Sequence, residues 1–163
     1  MADKNQSLPT NSKIVLVHLT EEKIIDKHPL LLFTSSQIDE VLQIVDTRPM
    51  PFGPSYLLGL CPWRNRILPV IDIAKRLGFH SLEDGHERRY LVVRTIVDRG
   101  GGKELLRCVL KIPDKITTAP PPSSYSPVKN NLTDLEPFLT RGLFESEEEL
   151  MIVPDLTSIF CYK

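Results

Sequence analysis

Apolar positions in this chain fall in short runs broken by charges, prolines and glycines, and no long stretch keeps a helical period. Runs of that kind predict strands. Ile14-Val15-Leu16-Val17-His18-Leu19 reads as a first strand, since aliphatic and β-branched side chains fit a pleated surface. Thr20 to Pro29 is charged and ends in proline, which predicts a loop, and Leu30 to Phe33 is too short for an independent helix. Gln37 to Val45 fits either period; its Ile44-Val45 end and the nearby Pro49 favour a strand. The prolines at positions 49, 51 and 54 forbid a repeating ladder there, and a brief helical turn from Ser55 to Leu58, ending at Gly59, is the expected continuation.

Two hairpins follow. Cys61 to Trp63, the polar corner Arg64-Asn65-Arg66, and Ile67 to Ile71 form the first, with Asn65 suited to the left-handed backbone of a corner. Asp72 can cap a short helix from Ile73 to Leu77, closed by Gly78. Tyr90 to Val97 and Leu105 to Ile112 make the second hairpin around Gly100-Gly101-Gly102. Those glycines are not a phosphate cradle, because no GxxxxGK[ST] pattern is present and no helix signal follows. Ala119 to Pro127 predicts an extended connector, Leu132 to Leu139 a short helical or irregular segment, and Glu145 to Glu149 a solvated turn. Leu150 to Val153 is a last strand, and Pro154-Asp155 opens a terminal helical turn carrying Leu156, Ile159 and Phe160. Many short strands with little helix imply an all-β barrel or sandwich. Residues 1–12 are polar and predict a mobile lead-in, with a single domain over 13–163.

Composition narrows the function classes. The 14 prolines disfavour a helical bundle, and a net charge of -1 offers no global attraction to nucleic acid. The start lacks the apolar run of a signal peptide and no stretch reaches membrane-spanning length, so a cytoplasmic protein without membrane insertion is expected. Cys61, Cys108 and Cys161 show neither a CxxC pair nor a ligand cluster, so no metal site or disulfide framework is expected. His80 and His86 share a polar loop with Glu83, Asp84 and Glu87 but lack the HExxH or HxxxH spacing of a metal site. Cys61 sits in an apolar Leu-Cys-Pro-Trp run, where burial suppresses thiolate chemistry. With no GxSxG elbow and no kinase signature, no enzyme and no cofactor is expected.

Gly59-Leu60-Cys61-Pro62-Trp63-Arg64-Asn65-Arg66-Ile67-Leu68-Pro69-Val70-Ile71-Asp72-Ile73 resembles the hallmark of CheW-like domains, approximately G-[VL]-x-N-L-R-G-x-[IV]-[IVL]-P-[VI]-[IVL]-D-[LI]. Ile38 to Leu42 is similar to that family's V-x-E-[VI] segment, and Pro54 to Gly59 to its P-x-[FY]-[IVL]-x-G. Arg89 to Val97 and Met151 to Leu156 fit two further segments, in the expected order. The resemblance implies two small SH3-like five-stranded β-barrels sharing an apolar core, with few short helices. It implies a non-enzymatic adaptor coupling a methyl-accepting chemoreceptor to a CheA-type histidine kinase, in chemotaxis, phototaxis or pilus motility. It further implies that Glu40 and Arg64 pair, and that Glu40, Val41, Arg64, Asn65 and Ile67 face partners. Pro62 and Asn65 replace the hallmark's asparagine and glycine, and Leu110 to Ile116 departs from the family's [IVL]-V-D-x-V segment. The departures point to a diverged adaptor, and leave open a small-ligand binding or regulatory module on the same fold.

Overall fold

The apolar runs pair into two sheets. The computed structural model describes residues 13–20, 22–80, 87–120, 123–128 and 135–161. The predicted lead-in at 1–12, His86 and the 132–134 part of the predicted irregular segment lie outside them.

In chain order the strands are β1 (Ile14–His18), β2 (His28–Thr34), β3 (Ile38–Leu42), β4 (Leu57–Trp63), β5 (Arg66–Asp72), β6 (Arg88–Asp98), β7 (Lys103–Pro113), β8 (Ile116–Ala119), β9 (Ser126–Pro127), β10 (Thr140–Glu145) and β11 (Glu149–Pro154). The only α-helices among the described residues are the single turns α1 (Ile73–Arg76) and α2 (Leu156–Phe160). One sheet runs β8-β1-β2-β11-β10-β9 and the other β3-β6-β7-β5-β4. The chain is therefore mainly β, with two small SH3-like units. They have six and five strands, and neither hydrogen-bonded order closes on itself among the described residues.

The second sheet turns on the long hairpin β6–β7, which stays in unbroken antiparallel register from Arg88↔Pro113 to Asp98↔Lys103. Its apolar centres, Leu91-Val92-Val93 and Cys108-Val109-Leu110, are buried on both faces. Leu91, Val93, Cys108, Leu110 and Ile112 point into the large core, together with Val17, Leu31 and Phe33 from the first sheet. Val92 and Val109, on the opposite face, pack with Cys61, Trp63, Leu68 and Val70 inside the curl of the second sheet. Each of these aliphatic side chains contributes about 1.5–3 kcal/mol by leaving water.

Both helical turns are capped as the sequence predicts. Asp72 accepts from Lys75 N at 3.2 Å, and Asp155 accepts from Thr157 N and Ser158 N at 3.1 and 3.3 Å. Asp72 is buried, and the Lys111 ammonium 3.4 Å away offsets the cost of burying its charge.

The helical turn expected from Ser55 to Leu58 does not form. Leu57 already pairs with Ile71, so the β4–β5 ladder overrides the local preference. Gly59 lies inside β4 at φ +148, and a Cβ there would stand 2.1 Å from the Arg48 carbonyl oxygen. That contact belongs to a bridge: Arg48 N donates to Leu60 O at 2.8 Å and Leu60 N to Arg48 O at 2.9 Å. The chain leaving β3 thus folds over the free edge of β4, and only a glycine lets it come so close.

Gly59→Ala is accordingly expected to lower unfolding free energy by about 3 kcal/mol or more. Gly101→Ala, where nothing lies within 4 Å, should leave it within about 0.5 kcal/mol; urea denaturation of both variants is the measurement. Stability should also fall with alkali. Burial raises the Cys108 thiol well above its ordinary 9.0, and burial with a hydrogen bond to Glu149 pushes the Tyr125 phenol up to about 12. The unfolded chain loses these protons first, so unfolding becomes easier as pH climbs from about 9 toward 12. Urea midpoints taken across that range would show a steady decline, and a flat profile would contradict it.

Candidate functional site

β3 and β4 occupy opposite ends of the second sheet's hydrogen-bond order, yet the curl brings them side by side. The seam is sealed by side chains. Trp63 Nε1, at the end of β4, donates to Glu40 Oε2 on β3 at 2.8 Å, and the indole is 8% exposed. Arg64, in the two-residue turn between β4 and β5, reaches the same Glu40 oxygen at 3.5 Å and stacks on the Trp63 ring at 4.5 Å. Glu40 and Arg64 are therefore together, as the family resemblance implies.

The magnitudes rank these contacts. The Arg64–Glu40 pair has side chains 68% and 39% exposed, where ion pairs contribute about 0–1 kcal/mol. The shorter bond to the half-buried carboxylate from the indole is the stronger hold. Arg64 itself has φ +51, in the left-handed region. The sequence assigned that conformation to Asn65, but the turn places it one residue earlier. For a residue with a Cβ it costs about 1–2 kcal/mol, which the stack over Trp63 and the pair with Glu40 offset.

A second charged group adjoins the first. Arg94 and Arg107 are directly opposite each other on β6 and β7, a repulsive arrangement by itself. Asp39 resolves it: Arg107 Nε donates to Oδ2 at 2.6 Å, and Arg94 lies 3.2 Å from Oδ1. Arg107 also sits 5.8 Å from the Trp63 ring centroid, which links both groups through one aromatic plate.

Trp63, Arg64, Asn65, Arg66 and Arg107 line an open depression of about 610 Å³. Asn65 thus joins Arg64 there. Val41 and Ile67 are exposed on β3 and β5, 46% and 72%, and do not line it. Sequence reasoning missed Trp63, Asp39, Arg94 and Arg107. One signal was available, namely the lone tryptophan of the chain immediately before the hallmark arginine. Elsewhere, burial and the nearby Asp46 carboxylate raise the Cys61 thiol, so its environment does not favour the nucleophilic thiolate. No helix among the described residues is long and apolar enough to cross a membrane.

Comparison with known proteins agrees with this architecture. The model of the CheW-like domain family matches residues 13–161. The chain is 26% identical over 114 residues to a chemotaxis protein CheW of Rhizobium meliloti, covering 69% of this chain and 68% of the relative. It is 27% identical over 113 residues to a probable chemotaxis protein CheW of Rhizobium etli, covering 68% and 67%. The crystal structure of the scaffolding protein TtCheW from Thermoanaerobacter tengcongensis shares the fold, with a TM-score of 0.70, 23% identity, and coverage of 93% and 94% of the two chains.

Trp63→Phe keeps a ring and removes the indole donor to Glu40. It should lower unfolding free energy by about 1–2 kcal/mol, read by thermal or urea denaturation. An unchanged stability would mean that the indole bond does not hold the seam.

Proposed function

The chain belongs to the CheW-like domain family, and on that footing we propose that it is a non-enzymatic cytoplasmic adaptor coupling a methyl-accepting chemoreceptor to a CheA-type histidine kinase. The partner-facing residues in this reading are Glu40, Val41, Arg64, Asn65 and Ile67. The observation that supports it most is the meeting of Glu40 and Arg64 across the seam between β3 and β4. A guanidinium held on one side by a carboxylate keeps further donors free for a partner, and the stack on Trp63 fixes its direction. Val41 on β3 and Ile67 on β5 add exposed apolar surface, which a protein interface uses. The same fold could serve chemotaxis, phototaxis or pilus motility, since only the identity of the receptor would differ.

A second reading, a small-ligand binding module, has one observation in its favour. An apolar cavity of about 360 Å³ lies between the Met50–Pro54 loop and Phe160, over Tyr56, Leu57 and Ile71. Its size is at the lower end for ligand pockets.

Isothermal titration against a kinase regulatory domain and a receptor hairpin tip decides the first reading. The expected result is one-to-one binding to at least one of them, weakened about tenfold or more by Arg64→Glu, because like charges placed together oppose association. Absence of binding to both partners, or an Arg64→Glu variant that binds as well as the parent, would overturn it. A thermal shift with a metabolite and none with the protein partners would favour the ligand module.

A further inference from the structure

The depression beside the seam is chemically one-sided. Three of its five lining side chains, those of Arg64, Arg66 and Arg107, are guanidiniums, and none is a carboxylate. Glu40 and Asp39 approach from β3, behind the lining, and each holds its arginine from that side. Arg66 is exposed at the start of β5, and no described carboxylate lies within ion-pair distance of it. Arg64 spends one contact on Glu40 and is otherwise two-thirds exposed. Each guanidinium carries five fixed donors, so many remain directed at the open side.

We propose that this depression receives a pair of carboxylate side chains from an acidic segment of a protein partner, with Arg66 and Arg64 as the receiving groups. The inference rests on the reading of this face as a protein interface and names the chemistry of what lands there. Planar guanidiniums match carboxylates bidentately, and the Trp63 plate under Arg64 keeps that guanidinium from collapsing onto the surface. A protein segment fits better than a polyanion such as nucleic acid. The whole chain carries a net charge of -1, so the positive field is local to this depression and is bounded by Glu40 and Asp39.

Trp63 is the sole tryptophan of the chain, so its emission reports on this site alone. The full chain is titrated with a capped glutamate hexapeptide at low salt, and with a lysine hexapeptide as control. The expected result is a saturable change in Trp63 emission with the acidic peptide only, suppressed by added salt. Arg66→Ala, at an exposed position, should weaken binding about tenfold. A second readout is protection of Arg64 and Arg66 from phenylglyoxal, mapped by mass spectrometry, which the acidic peptide should confer and the lysine peptide should not. No saturable change, equal binding by Arg66→Ala, or a response to tripolyphosphate or a short oligonucleotide without one to the peptide would each overturn the proposal. These outcomes are independent of the adaptor reading. Kinase or receptor binding that survives while the acidic peptide fails would retire the carboxylate site alone, and peptide binding without either partner would retire the adaptor role alone.

Discussion

Burial of the β6–β7 hairpin on both of its faces is the constraint on which the rest of the molecule depends. One face closes the large core against the first sheet, and the other fills the curl of the second. A strand pair covered on both sides cannot slip by one residue without exchanging two apolar sets, so its register is held from Arg88 to Asp98. β3 adds along one edge of the pair and β5 along the other, and β4 follows β5. With the middle fixed, the outer strands can curl toward one another. Their meeting is settled by few contacts, chiefly the Arg48–Leu60 bridge and the Trp63–Glu40 bond.

That division explains what the sequence disclosed. The glycine-centred hairpin, the capped turns after Asp72 and Asp155, and the strand at Leu150 to Val153 were all legible, because each rests on local chemistry: turn residues, caps and apolar runs. Ser55 to Leu58 misled for the opposite reason. Its local preference yields to a ladder with Ile71, which is distant in sequence. The left-handed residue of the first turn was assigned to Asn65 by propensity, whereas contacts from Glu40 and Trp63 hold Arg64 there instead. Tertiary context outweighed the intrinsic preference at both places.

The candidate site was half legible for the same reason. Glu40 and Arg64 came from a motif, but Asp39, Arg94 and Arg107 become neighbours only when β3 is laid beside β6 and across β7. The Arg64–Glu40 pair is largely solvated, whereas Arg107 and Asp39 meet at 2.6 Å with both side chains mostly buried. Joined by one tryptophan, they act as a braced set: Asp39 suppresses repulsion between Arg94 and Arg107, and the indole orders Glu40 before Arg64 can use it. The positively charged depression is therefore rigid on its inner side and open on its outer one, an arrangement that lowers the entropy lost when a partner binds.

The close approach of Arg48 to Gly59 carries a lesson about signatures. The glycine that opens the hallmark stretch is needed because another part of the backbone passes within reach of where its side chain would be. Any protein that folds the same crossing segment over the same edge must keep it, whatever that protein binds. A search weighted on this glycine therefore recognises an architecture, while the arginine five residues later lines the open depression and belongs to the surface instead.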